Sequence, residues 1–589
     1  MTGTLDVSTS GGPASDAGQL HRTIDWKGAF WIASGVPALV LFSIGGIAGT
    51  TGNVAFMIWT LSMIMGFLQS FTYAELAGLF PNKSGGASVY GAAAWVKYSK
   101  FLAPAITWCN WLAWTPAIAL GCSIAAAYIL NALAPLPVAE SAEVVSWVKQ
   151  NVGSIAADSP RVAEWMAANV GKTANDAIEA LLVQDGIVAL TPAVRNWTLY
   201  SRQLGPVSFS LNGVFWIGAT LMLIVFLIQD RGILSTARVQ KLIGLIVIVP
   251  MAVVALVPIF TGQINWDNYF PFVPLSGSWN IPGWTLVLGG LFIAAWSTYA
   301  FETAICYTRE FKNPGSDTPK AIFYSGLLCL ALFTLVPFSF QGVLGLQGML
   351  SPSIADGSGV AEAMGNMLGG TQLLTNIFVV LMILALMCFL MTAMAGSSRT
   401  LYQASLDGWL PKYLSYANEH GAPTRAMWTD FVANLGILAI AAADATSFFF
   451  ILAVSNVCYI ICNFLYMNSG WIHRLDNAHI PRPYKAPTIL LTIGTCLAYV
   501  NVVLVGAGAK VWNPWALWSG LIAAALIIPI FAFRHYIQDR GQFPEHMLND
   551  LNLHVDYSKT RNAGVLPYVA LGVGAVLMFW ANWYFVMPS

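Results

Sequence analysis

Two short stretches of this chain have residue types suited to chemistry, and both would act through the backbone more than through side chains. One is Ala33-Ser34-Gly35-Val36-Pro37-Ala38-Leu39, followed by Gly45, Gly46 and Gly49, in the middle of the first long apolar run. The other is Trp296-Ser297-Thr298-Tyr299-Ala300-Phe301-Glu302, small hydroxyl and aromatic residues ending in a carboxylate deep inside another apolar run. Hydrocarbon offers no hydrogen bonds, so a membrane helix can be interrupted only where its freed N–H and C=O groups line a cavity inside the protein. Such half-helix ends hold carboxylates at their positive ends and cations at their carbonyls. A proline can also do no more than kink a membrane helix, and that simpler reading stands beside the first.

The elements that must position these stretches are membrane spans. Of the 589 residues, 57% are hydrophobic and 9% charged, and the mean hydropathy is +0.66, far from water-soluble composition. Lys plus Arg and Asp plus Glu both number 27, so no nucleic-acid partner is indicated. Runs of about 20 apolar residues fall near 28–50, 54–76, 101–134, 208–228, 237–262, 284–307, 319–346, 372–402, 425–443, 447–468, 488–508, 515–536 and 563–586, thirteen in all. The first 26 residues are polar and contain no signal peptide, so the first span is expected to direct insertion. With that terminus cytoplasmic, twenty-one Lys and Arg face inward and six outward, as the positive-inside rule requires. The outer connection 135–206 is too long for a simple loop, and its apolar spacing predicts short amphipathic helices capping the outer face. The segment 538–562 is either amphipathic or partly re-entrant.

The eight cysteines lie in or beside apolar runs, without metal-ligand spacing, and the seven histidines are placed in polar connectors. Clustered His, Cys or paired acids within the spans are missing, which argues against an enzyme, a metal or a cofactor. No channel filter or charged pore ring is visible.

Four motifs in order carry a resemblance. Tyr73-Ala74-Glu75-Leu76 is followed by Pro81-Asn82-Lys83-Ser84-Gly85-Gly86-Ala87-Ser88-Val89-Tyr90. Phe301-Glu302 precedes Glu310-Phe311-Lys312-Asn313-Pro314. Ser398-Arg399-Thr400-Leu401-Tyr402 precedes Asp407-Gly408-Trp409-Leu410-Pro411, and Arg482-Pro483-Tyr484-Lys485-Ala486-Pro487 stands before span eleven. Over nearly its whole length the sequence resembles the amino acid, polyamine and organocation permeases. The resemblance implies an all-α integral membrane protein of the leucine-transporter type. It has two inverted five-helix repeats, here 27–262 and 283–468, after a polar N-terminus of 1–26 and before two or three extra helices in 469–589.

For the site, the resemblance implies that N–H groups around Gly35, Val36, Pro37, Ala38 and Leu39 receive an amino acid carboxylate, and that carbonyls around Ser297, Thr298, Tyr299 and Ala300 receive its ammonium. Trp296 occupies the place of a gating aromatic, with packing as the alternative. Glu302 either carries a proton or bonds freed backbone. Glu75 and Asp407 are expected to anchor helix ends or to pair with Arg399. Proton-coupled members carry a lysine in span five, where the matching stretch here, Leu245 to Val249, is apolar. Thr392 could help hold a sodium ion, so the coupling ion, proton or sodium, stays open. Ala393 replaces an aromatic that exchangers stack on arginine. The expected activity is secondary active transport of an amino acid across the cytoplasmic membrane by alternating access. An amino acid/amine exchanger, a polyamine carrier and a nutrient sensor are the alternatives.

Overall fold

The computed structural model describes residues 20–133, 150, 160–168, 180–182, 184–185, 197–205, 207–351, 354, 357, 359–550 and 561–586; of residues 38, 39, 42, 131, 166, 204, 299, 300, 445, 446, 549 and 550 it describes the backbone alone. The first apolar run divides at its glycine and proline. Helix α1 (Trp26–Ala33) ends, a 3₁₀ turn follows at Val36–Ala38, and α2 (Leu39–Thr51) resumes. Pro37 contributes to the break because it supplies no N–H to a helical ladder. The start of α1 is fixed by Asp25, whose carboxylate accepts from the Gly28 N–H at 2.9 Å.

Continuous helices complete the first set: α3 (Ala55–Leu79), the short buried α4 (Ala87–Trp95), α5 (Leu102–Leu133), α6 (Pro160–Ala168), α7 (Gly213–Gln229) and α8 (Ile233–Phe260). The second set repeats the interruption. Helix α9 (Ile281–Ala294) ends in a 3₁₀ turn, Ala295–Thr298; then come one turn of α10 (Tyr299–Glu302) and a 3₁₀ stretch, Thr303–Glu310. After it come α11 (Pro314–Met349), bent at Gly345, α12 (Val360–Met367), α13 (Gln372–Leu406), α14 (Thr424–Ala441) and α15 (Ala445–Asp476). The last elements are α16 (Thr488–Val511), α17 (Ala516–Ala525), α18 (Ile527–Ala532), α19 (Glu545–Asp550) and α20 (Leu566–Val586).

Among the described residues, ten helices are long and apolar enough to cross a membrane, one of them joining the end of α2 to α3, and α7 is a shorter apolar helix. The interrupted first run and α14 are not counted separately among the ten. This is a multi-span helical membrane protein, broken in its first and sixth runs as expected. The core is built where α5 packs on α13 and α15 and where α3 packs on α11. At the periphery α20 lies against α16 so closely that a Cβ on Gly506 would stand 2.4 Å from the Ala581 backbone. Its other face leaves Val569, Val573, Val576, Trp580 and Trp583 exposed, the apolar stripe of a lipid-facing helix.

Two expectations need correction. The end of the 135–206 connection is a two-stranded antiparallel hairpin, β1 (Thr198–Leu204) and β2 (Val207–Asn212), with Ser201 opposite Ser210. In β2 polar and apolar residues alternate with period two, which a search for helical spacing passes over. Of the amphipathic helices expected before it, α6 is present, Val162 is buried, and the rest of 139–182 lies mostly outside the described residues. Two histidines also leave the connectors: His473 and His535 are both buried in helical segments. His473 bonds the Tyr90 carbonyl at 2.9 Å through Nε2.

Candidate functional site

The two interruptions meet in the middle of the bundle, where Val36–Ala38 lies against Tyr299–Glu302. Beside them opens a narrow cavity of about 70 Å³. Val36 and Trp296 line it from the two breaks, with Trp114 of α5, Phe389 of α13, and Phe448 and Phe449 of α15. Ser43 and Ser455 supply its hydroxyls, and no charged side chain is among its lining residues.

Trp296 stands edge-on to Trp59 at 5.8 Å and to Phe333 at 6.0 Å, and its indole Nε1 has no partner among the described residues. Its neighbours turn away from the cavity. Ser297 bonds Ser62 of α3 at 3.0 Å. Thr298 donates to its own helix at the Ala295 carbonyl, 2.8 Å away, and touches the Tyr459 hydroxyl. At this turn the side-chain hydroxyls are therefore committed to helix packing, and the main chain is what remains for a ligand.

Glu302 faces α4 and α5. It accepts from Asn110 Nδ2 at 3.0 Å and from the Ala87 N–H at the first turn of α4, a carboxylate at the positive end of a helix. Gly35 has no room for a side chain: a Cβ there would lie 2.6 Å from the Cys388 backbone of α13. Thr392, one turn further along α13, donates to the Ile32 carbonyl of α1 at 2.5 Å or to Cys388 at 3.0 Å.

Four site residues escaped the sequence reading. Span five contributes Gln240, whose amide nitrogen bonds both Thr392 and Cys388, while Leu245, Ile246 and Val249 point out of the bundle. The register was misplaced by more than one helical turn, because an apolar stretch of lipid-facing residues shows no marker of depth. For the same reason the aromatic of span eight is Phe389, one turn before Ala393. Asp430 is a further fully buried carboxylate, accepting from Trp111 at 3.0 Å, from Ser397 at 2.5 Å and from Thr115. It stands in α14 five residues after Arg425, near the start of the expected span 425–443, where the sequence reading did not single it out. Ser62 was one hydroxyl among many in a membrane helix, with no signal to single it out.

One end of the bundle is closed by ion pairs. Arg399 grips Glu310 with two nitrogens, at 2.5 and 3.0 Å. Lys83 meets Asp407 at 2.7 Å, and Glu75 takes both Arg474 at 2.6 Å and Arg482 at 3.0 Å. Of the two roles expected for Glu75 and Asp407, pairing with Arg399 is not found, because the Thr303–Glu310 segment brings Glu310 to Arg399 instead; both tie helix ends through other partners. Burial would raise the Asp407 carboxyl, but Lys83 and His546 outweigh it and hold the group below the usual carboxylate range.

Residues 24–528 match the family model described as amino acid permease. The chain is 25% identical over 275 residues to the branched-chain amino acid permease BcaP of Lactococcus lactis, covering 46% of this chain and 56% of that protein. It is 21% identical over 323 residues to the protein of the same name in Bacillus subtilis, 54% of this chain and 63% of the other. With the GABA-specific permease of Saccharomyces cerevisiae it shares 24% over 345 residues, 55% and 54%. These matches span little more than half the length of the curated relatives.

Proposed function

The chain belongs to the amino acid permease family, and from that premise we propose that it carries neutral amino acids with apolar side chains across the cytoplasmic membrane by alternating access. The observation that supports this reading best is the cavity between the two breaks, whose lining is aromatic and aliphatic and without charge. A zwitterion is neutral overall, so its two charges need only dipoles. The start of α2 offers the N–H groups of Val36, Ala38 and Leu39 to the carboxylate, and the carbonyls at the end of α9, around Ser297 to Ala300, receive the ammonium. The side chain then occupies the apolar space, where each buried methylene contributes about 0.8 kcal/mol. A polyamine or arginine would bring charge to a place with no carboxylate to meet it.

Trp296 closes over the bound substrate, while Glu302 and Thr392 hold the broken segments to α4 and α1. The ion-paired end lies toward the cytoplasm with the N-terminus, and 27–262 and 283–468 are the two inverted repeats that exchange access. The branched-chain specificity in the names of two relatives agrees with this substrate class.

Purified protein in proteoliposomes preloaded with unlabelled leucine tests the reading. Labelled leucine should enter saturably, and Trp296→Ala should slow entry at least tenfold while the protein stays folded. A wild-type protein that moves no neutral amino acid under any preload would turn the reading toward a sensor built on a transporter core.

A further inference from the structure

A second cavity, of about 460 Å³, lies apart from the central one, where the connection between α4 and α5 meets the segment leading into α19 and the start of α20. Lys97, Tyr98, Lys100, Phe543, Leu548 and Arg561 line it, and its size is that of a small-ligand site. It belongs to the ion-paired end of the bundle, since a Cβ on Gly408, next to Asp407, would lie 2.6 Å from the ring of Pro544.

The charges in its wall are of one sign. The Lys100 ammonium stands 5.9 Å from the centre of the Phe543 ring and the Arg561 guanidinium 5.7 Å from that of Tyr98, so aromatic faces hold both heads at the cavity. A ring face fixes a cation without cancelling its charge. Among the described residues neither cation has a carboxylate partner. Lys97 is a third, buried cation, bonded to Asn477 Oδ1 at 3.3 Å. The flanking carboxylates are engaged elsewhere. Asp476 attracts Lys97 and accepts from the Tyr98 hydroxyl and the Ala563 N–H, both at 2.8 Å. Asp539 takes Arg534 at 2.5 Å and Lys412 at 2.9 Å, and Glu545, exposed on α19, is not in the lining.

Apolar surface begins at the rim. Phe101, next to Lys100, is exposed at the start of α5, and Val565, Leu566 and Val569 are exposed just after Arg561. Tyr568 fastens α20 to this wall by donating to the Tyr98 carbonyl at 3.0 Å. A pocket of cations opening onto a lipid-facing helix fits an amphipathic anion, with a phosphate for the cations and hydrocarbon for the helix face. A free phosphate would leave the apolar rim unused.

We propose that this cavity holds the headgroup of an anionic phospholipid, its phosphate met by Lys100 and Arg561 and its acyl chains lying along Phe101 and the outer face of α20. The bound lipid fastens α20 and the segment before α19 to the α4–α5 connection. Nothing in this assignment depends on which substrate the permease carries.

Thermal unfolding of the purified protein in detergent tests it, with phosphatidylglycerol or phosphatidylcholine of the same acyl chains added. Wild type should melt about 2 °C higher in phosphatidylglycerol. Lys100→Gln combined with Arg561→Gln should melt equally in the two lipids; Arg561→Gln alone, with at least half the difference lost, serves if the double variant does not fold. Lys312 and Lys485 are exposed at the same end, beside segments that bond Ile24 and Glu75. Lys312→Gln combined with Lys485→Gln removes as many charges away from the cavity and should keep the wild-type difference. No lipid difference in wild type, one that survives in the Lys100 and Arg561 variant, or one that also vanishes in the Lys312 and Lys485 variant overturns the proposal. Glycerol phosphate in molar excess should not reproduce the rise; a rise equal to that in phosphatidylglycerol would make the occupant a free phosphate ester and overturn the lipid assignment.

Discussion

The ion-paired end and the central cavity solve opposite problems. At the end, Glu75, Lys83, Glu310, Arg399 and Asp407 are buried charges that survive because each has a partner. In the cavity no side-chain charge lines the wall, and in the proposed reading the polar work falls to the ends of α2 and α9. The difference teaches that closing a pathway and recognising a cargo make different demands on sequence. A buried pair requires particular residue types, because one partner left alone is destabilising by several kcal/mol. A helix end offers its dipole whatever its side chains are.

The largest expected effect breaks the paired end. Arg399→Ala strands Glu310 and should destabilise the protein by about 3–5 kcal/mol. Arg399→Met combined with Glu310→Leu should recover most of that loss, as thermal unfolding of the three proteins would reveal. If the double variant is no better than the single, the pair does more than neutralise charge.

Next comes the packing that holds the cavity wall. Gly35→Ala forces a methyl against the α13 backbone, and overpacking of this kind costs about 1–3 kcal/mol. Leucine exchange should fall at least tenfold, and full activity would show that the first break can move away from Cys388 freely.

The Lys83–Asp407 pair gives a smaller effect with a sign in pH. Because the folded-state Asp407 is held below its ordinary value, the pair stabilises fully above the ordinary aspartate range, about pH 4, and its contribution fades as pH falls through the lower folded value. Lys83→Met should therefore melt below wild type at neutral pH, with the gap closing under acid. A gap that widens as pH falls would contradict the assignment.

The smallest change is one of selectivity. Phe389→Ala enlarges the cavity at the α13 wall and should shift preference from leucine toward larger aromatic amino acids by about tenfold, a factor typical of a few methylenes in an apolar pocket. Competition by phenylalanine and tryptophan against labelled leucine would measure it.

Much of the fold was legible because span length is a physical necessity of a bilayer. The interruption at Gly35 and Pro37 could be read from residues that weaken helices, and the one at Trp296 to Glu302 from its hydroxyls and terminal carboxylate. The motifs around Glu75, Lys83, Glu310, Arg399 and Asp407 could be read because paired charges demand them, although their pairing could not. Gln240 and Phe389 were missed since an apolar helix carries no marker of depth, and an error of a turn or more exchanges a cavity-facing residue for a lipid-facing one. Asp430 was missed because its cage of Trp111, Thr115 and Ser397 is assembled from two other helices, α5 and α13. The β1–β2 hairpin followed a period that membrane helices do not share.

The most direct test of the central claim is a competition panel in proteoliposomes, with labelled leucine exchange challenged by isoleucine, valine, phenylalanine, arginine, glutamate and putrescine. An uncharged cavity that holds a zwitterion by two helix ends predicts that the neutral apolar amino acids compete and the charged compounds do not. Putrescine or arginine competing as well as isoleucine would contradict it.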